Sequence, residues 1–232
     1  MCPRKVRHPM DDPLNLVRRA LVRLYSLWVS ATYPFASLGS NLSIHFGADV
    51  SKTRVHRMKW GNSVTINKDA TVRVELLLDE TDEPVLVIED ECIIGPRCAI
   101  SAKNSIYLER DVVLAPSVLI QDHSHAYKKD VRQTIRHQGI TEGGRIRIGQ
   151  GSWIGQGSVI HCDQGELTLG RNCVVAPNSL VNRSFPAYSL IAGNPAHVIK
   201  QFDAAKGAWV LGSSRRAETE IGLPQAELQA SR

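Results

Sequence analysis

The chain has 232 residues, 43% hydrophobic and 22% charged, which is enough apolar material for one main folded domain and too much for overall disorder. Its formal net charge of +5 is unevenly spread: residues 1–59 carry ten Lys and Arg against three Asp, or +7, leaving −2 for the remainder. Such a basic part can attract phosphorylated cofactors or anionic lipid, but aromatic residues are only 6% and no nucleic-acid motif accompanies the charge, so nucleic acid is not an expected partner.

Residues 1–12, with Pro3, Arg4, Lys5, Arg7 and Pro9, read as a flexible basic lead. From Pro13 to about Ser30 the apolar residues Leu14, Val17, Leu21, Leu24 and Trp28 recur every three to four positions, while Arg18, Arg19 and Arg23 fall mostly elsewhere around the wheel. The pattern predicts an amphipathic helix with Asp12 as N-cap and Pro13 in the first turn. Two roles suit it. It can plug the open end of the domain that follows, or residues 13–30 can lie peripherally on an anionic membrane with the arginines toward the headgroups. Residues 1–36 are accordingly one unit, 37–200 the main domain and 201–232 an extension.

The main domain is organised by a count of six. It begins raggedly, with Phe46-Gly47 before Val50, Trp60-Gly61 before Val64, and Ile66 before Ala70 and Val72; an acidic stretch over 79–84 reads as a solvated protrusion. Then Ile88, Ile94, Ile100 and Ile106 are spaced by six, and Leu108, Leu114 and Ile120 continue after a shift of two. The ladder resumes at Ile148, Ile154 and Ile160, slips by extra residues around Asp163–Glu166, and ends at Leu169, Val175 and Val181. Four residues after an aliphatic comes a small or short side chain, among them Ala70, Cys92, Cys98, Val118, Ser152, Ser158, Cys173 and Ser179. Positions two apart on a strand share a face, so aliphatic and short residue point inward together. Gly and Asn between them suit tight corners. Three such faces close one triangular coil, and the repeat predicts an all-β fold, a left-handed parallel β-helix with an N-terminal amphipathic helix and an extended polar loop.

Three of the five cysteines fill the short inward slot, where a thiol acts as a compact hydrophobe, and no CxxC spacing exists. A zinc or disulfide framework is not expected, and a reducing, cytoplasmic setting is the simplest one. No apolar run reaches transmembrane length and no signal-peptide core opens the chain, which reads as soluble or peripheral at the inner face of a membrane.

The ladder is broken once, at Ile120-Gln121-Asp122-His123-Ser124-His125-Ala126-Tyr127, which opens a polar loop over 121–145. A histidine with an unperturbed pKa near ~6.5 can take a proton at neutral pH, so the break is where chemistry is expected. Beyond Val181 the rhythm is left at Ser184–Lys200, which contains Ala192-Gly193-Asn194-Pro195-Ala196, and residues 203–232 read as a short helix followed by a loose tail.

The His-bearing break, the run Ile148-Gly149-Gln150-Gly151-Ser152-Trp153-Ile154-Gly155 and the Gly-Asn-Pro-Ala closing run, in that order, resemble the hexapeptide-repeat acyltransferases over about residues 60–200. The nearer resemblance is to the galactoside and maltose acetyltransferases and the sugar O-acetyltransferases of surface-polysaccharide synthesis. It implies a homotrimer, with acetyl-CoA as acyl donor in the cleft between neighbouring coils and a histidine facing the hydroxyl of a sugar or glycan acceptor. In the family pattern the general base follows the Ala-Pro-x-Val rung, here Ala115-Pro116-Ser117-Val118; His123 matches that place best, and His125 is close enough to be the base or to hold the acceptor. Asp122 and Glu142 are the candidates to orient an imidazole or bind a sugar hydroxyl. Trp153, read as a corner residue, matches the family's aromatic beside the active site, and it could equally be a packing aromatic between subunits.

For the coenzyme, the resemblance carries onto Gln156, Pro177, Asn182, Arg183, His197 and Lys200, with Arg183 and Lys200 able to meet phosphate charge. The loop over 121–145 is longer than in the galactoside branch, so the acceptor's identity does not transfer. No metal is expected. A γ-type carbonic anhydrase shares the β-helix and would need three zinc-binding histidines, for which His123, His125 and His161 could be put forward; His161 and His137 otherwise read as surface residues, His161 at a turn. N-acetylation of a nucleotide aminosugar and a non-catalytic scaffold are the other readings.

Overall fold

The computed structural model describes residues 13–75, 83–128 and 130–211. The basic lead, the Asp12 cap, most of the acidic protrusion and the end of the C-terminal tail lie outside the described residues.

The count of six becomes three flat faces of parallel strands. The first is six-stranded and runs Ser37–Leu38, Met58–Trp60, Leu86–Ile88, Ser105–Leu108, Arg145–Ile148, Glu166–Leu169. The second begins Ser43–Ile44, Thr65–Ile66, Ile93–Ile94, Val113–Leu114, Trp153–Ile154, Val174–Val175. The third contains Asp49–Val50, Thr71–Val74, Ala99–Ala102, Leu119–Gln121, Val159–His161 and Leu180–Val181. The chain visits the faces in turn, the left-handed parallel β-helix that the repeat predicts. Every aliphatic rung from Ile88 to Val181 is buried, and so is every short slot residue. The shift of two at Ile106 and Leu108 is one longer strand, Ser105–Leu108, that sends both residues inward. Fully burying a side chain such as Ile100 contributes roughly 1.5–3 kcal/mol, and the stacked rungs repeat that gain coil after coil.

The slot residues also tie coils together. Ser152 Oγ donates to Gly170 O at 3.2 Å and accepts from Cys173 N–H at 3.1 Å. Ser158 Oγ does the same with Ala176 O at 3.0 Å and Ser179 N–H at 3.3 Å. The thiols of Cys92, Cys98 and Cys173 donate to Glu109 O, Ala115 O and Pro186 O at 3.1, 3.0 and 3.2 Å, so a thiol read as a compact hydrophobe is also a hydrogen-bond donor. Burial pushes the Cys92 thiol up to about 12 and raises Cys98 and Cys173. Unfolded thiols ionise near ~8.5. The stability these groups contribute is therefore complete below that pH and drains away as pH rises toward the folded values. Thermal unfolding followed from neutral pH to about 10.5 should show a decline in Tm that is shallower for Cys92→Ala; an identical alkaline slope would remove the thiol from this account.

Two parts differ from expectation. After Val175 the second face continues through Ser189–Gly193 and turns back antiparallel as Ala196–Asp203 and Ala208–Leu211. Residues 203–211, read as the start of a short helix, are strand and turn: Trp209 packs edge-on against Phe202, and the strand adds to an open sheet edge that no local helix could satisfy. The boundary put at residue 200 falls inside a strand.

The helix α1, Pro13–Thr32, forms as predicted but does not plug the coil with its apolar face. Ser26 and Val29 are buried against the first coil, where Ser26 Oγ accepts the Ile44 N–H at 2.7 Å. Val17, Leu21, Leu24 and Trp28, the residues expected to face inward, are 47–64% exposed. The wheel finds the stripe but not what it faces; Tyr25, Tyr33 and Phe35 already pack against the core at this end.

Candidate active site

The third face delivers the site. Its strands carry an outward residue directly after each aliphatic rung, and these align in one row: Arg73 with Ser101, Ser101 with Gln121, Gln121 with His161. The strand Leu119–Gln121 then releases the loop. Asp122 is fully buried, and its carboxylate accepts the backbone N–H groups of Lys103, Asn104 and Ser105 at 2.8, 2.8 and 2.9 Å. It stands where a short residue turns the corner in the preceding coil, so it both caps that corner and receives the next side chain.

That side chain is His123, 4% exposed, whose Nδ1 lies 2.9 Å from Asp122 Oδ1. A carboxylate holding three N–H donors accepts at this fourth contact, so the imidazole proton sits on Nδ1 and Nε2 is left with a lone pair. Nε2 has no hydrogen-bond partner among the described residues. His123 and His125 line one cleft of about 290 Å³ with Arg73, Glu75, Ser101 and Gln121. Glu75 Oε1 accepts from Ser101 Oγ at 2.9 Å. The cleft therefore sets one lone pair, on His123 Nε2, among hydroxyl, amide, carboxylate and guanidinium groups over an apolar floor of Ala99, Ile100, Leu119 and Ile140, a lining that can take a ligand with both hydroxyls and hydrocarbon faces.

The loop is folded rather than loose. Ser124 and Thr141 exchange hydrogen bonds, His125 bridges antiparallel to Ile140, and Ala126 N–H donates to Gly139 O at 2.9 Å. His125 is exposed. Glu142 is also exposed; its backbone carbonyl, not its carboxylate, is engaged, by Lys103 Nζ at 2.9 Å and Asn104 Nδ2 at 2.7 Å, while the side chain beside His123 is Asp122. His161, read as a turn residue, ends the strand Val159–His161, and its Nε2 meets Ser124 Oγ at 3.1 Å. Among the described residues no three His, Cys, Asp or Glu converge as a metal site.

The remaining expected residues fall elsewhere. Gln156 and Pro177 stack on successive coils at the corner that feeds the third face, with Asn178 N–H donating to Gln156 O at 2.9 Å. Asn182 directly follows the last third-face strand. Arg183 lies across the Phe185 ring and donates to Ala196 O at 3.1 Å, next to His197, which abuts Gly193. Lys200 is exposed between Leu190 and Leu211. Trp153 is not at a corner: it lies on the strand Trp153–Ile154, in register with Val113 and Val174, 42% exposed on the second face and outside the histidine cleft. Arg73, Ser101 and Gln121 line the cleft without having been expected there, and His161, expected at a turn or as a zinc ligand, ends the same row. Their signal was there, a polar residue after Val72, Ile100, Ile120 and Ile160.

No family model matches the chain. It is 28% identical over 191 residues to a Mycobacterium tuberculosis protein named as a probable acetyltransferase, covering 82% of this chain and 57% of that one. It is 27% identical over 159 residues to an Escherichia coli K12 protein named for O-acetyl transfer in lipopolysaccharide biosynthesis, covering 63% and 76%. The chain thus spans little more than half the length of the mycobacterial relative. Among solved structures it is similar to AntD, an N-acyltransferase of Bacillus cereus in complex with dTDP and coenzyme A, with a TM-score of 0.60 and 15% identity over 84% of this chain and 94% of that one, a likeness of fold.

Proposed function

We infer, from the premise that this chain belongs to the hexapeptide-repeat acyltransferases, that it moves an acetyl group from acetyl-CoA to a sugar hydroxyl of a cell-surface polysaccharide or its precursor. The observation that carries this reading is the buried Asp122–His123 pair opening onto a cleft of mixed polar and apolar lining. Asp122 holds the ring and its tautomer. His123 Nε2 takes the proton of the acceptor hydroxyl as its oxygen attacks the thioester carbonyl. The tetrahedral oxyanion collapses, the carbon–sulfur bond breaks, and the imidazolium returns the proton to the departing thiolate. Ser101, Gln121 and Arg73 are suited to hold the acceptor, and His125 to touch its far side. Gln156, Pro177, Asn182, Arg183, His197 and Lys200 are the residues proposed for the coenzyme.

The working form is a homotrimer. The second face supports this with an outward apolar row, Ile93 at 40% and Trp153 at 42% exposure with Val113 between them in register, a surface that a second copy can cover. Light scattering should give the mass of three chains, and Ile93→Asp with Trp153→Asp should give one; a wild-type monomer sinks the assembly. The reaction itself is tested by following coenzyme A release from acetyl-CoA against a panel of sugars, aminosugar nucleotides and lipid-linked glycans. Release that no acceptor stimulates would overturn acyl transfer to sugars, and stimulation only by the amines would make nitrogen the acceptor atom.

A further inference from the structure

Arginines flank the face that α1 turns to the first coils. Beneath it lies a cleft of about 760 Å³, walled on the helix side by Arg18, Arg19 and Arg23 and on the coil side by His45 and Lys68, with no Asp or Glu in its lining. Asp69 lies 3.8 Å from Lys68 Nζ at its edge. Gly47 N–H donates to His45 Nδ1 at 3.0 Å, which leaves the neutral ring's proton on Nε2 as a donor. Burial, then Arg18 and Lys68, hold His45 below its ordinary pKa, as expected where positive charge is crowded. The opposite face of the same helix is the exposed stripe of Val17, Leu21, Leu24 and Trp28. No described helix is long and apolar enough to cross a membrane, so α1 can lie on one but not span it.

We propose that α1 and the cleft beneath it form a docking surface for anionic phospholipid: the aliphatic stripe enters the acyl-chain boundary while the cleft takes a headgroup phosphate. A protein partner would have to cover the stripe and also bring carboxylates to the arginines on the other side. An anionic bilayer supplies hydrocarbon and phosphate together, and arginines at the helix edges can reach up to the headgroups. Trp28 sits on the stripe as an indole that suits the boundary between hydrocarbon and water.

The test is co-sedimentation of the full chain with vesicles of phosphatidylcholine alone and of equal parts phosphatidylcholine and phosphatidylglycerol, with inorganic phosphate as a competitor. Binding is expected for the anionic vesicles, to weaken as salt rises, and to fall about a hundredfold in the triple variant Arg18→Glu, Arg19→Glu, Arg23→Glu. Leu21→Gln with Leu24→Gln should lose binding while far-ultraviolet circular dichroism is unchanged. The Trp28 emission should shift to the blue on binding, read as the difference from Trp28→Phe. Equal binding to both vesicle types, no binding to either, or an undiminished charge-reversed variant overturns the proposal. So does phosphate binding without vesicle binding, which leaves a site for a soluble anion. A change of mass in solution in the Leu variants, with vesicle binding retained, assigns the stripe to a second copy.

Discussion

His123→Ala should lower acetyl transfer by about 10²–10⁴-fold, the contribution typical of a positioned general base, with the KM for acetyl-CoA changed little. The proposed base and the residues proposed for the donor are separate: His123 follows the third-face strand Leu119–Gln121, while Gln156 and Pro177 lie at the corner that feeds that face. Asp122→Asn leaves the shape but removes the charge that holds the Nδ1 proton, so it should lower kcat with little change in either KM. His125→Ala should cost less, because its ring is exposed and no side chain among the described residues fixes its tautomer. If His125→Ala abolishes transfer and His123→Ala spares it, the roles are reversed. Thermal unfolding must accompany each variant, since Asp122 also satisfies three backbone donors of the preceding coil.

Gly155→Val should damage the scaffold severely at a buried coil corner. A Cβ at Gly155 would lie 2.6 Å from both Val175 O and Pro177 N, backbone atoms of the next coil that cannot step aside singly. The coils would have to part at that corner, breaking the Gly155 N–H to Val175 O bond of 2.8 Å and the burial beneath it. The expected loss is on the order of 3 kcal/mol or more. Denaturant unfolding reads it as a lowered midpoint. Gly165→Ala is the control: no atom lies within 4 Å of its added Cβ, and only its left-handed φ of +72° is strained, so it should cost far less. Similar midpoints for the two variants would show that close approach is not what selects glycine at position 155.

The architecture was legible because a triangular coil repeats one constraint: whatever sits at the rung must be aliphatic, and whatever follows four later must be short. Ile100 and Cys98 obey it, and so do Ile160 and Ser158. Corner chemistry was less legible. Arg97 and Ser117 adopt left-handed φ of +58° and +61° where Gly or Asn would be the ordinary choice, in the same column of corners as Gly157 and Asn178. The Asp122–His123 contact could be suspected from adjacency, but the three backbone donors that bury the carboxylate come from a residue run nearly twenty positions earlier, which only the coil brings near. His161 was misplaced because the slip at 163–166 hid where its strand ends. The direction of α1 was beyond a helical wheel, which ranks faces by polarity and is silent on which of them the neighbour has already filled.

The neck of the loop has a consequence for how this molecule could diversify. Gly144 N–H donates both to Asp122 O and, at 3.2 Å, to Cys162 O, so the excursion leaves and rejoins the stack at one closed point. Beyond the Ser124–Thr141 pair, the stretch from His125 to Ile140 can lengthen, shorten or change sequence without disturbing a rung above or below. Lineages sharing this skeleton could therefore exchange that segment as a cassette, acquiring new acceptor preferences while His123 and its buried carboxylate stay in place.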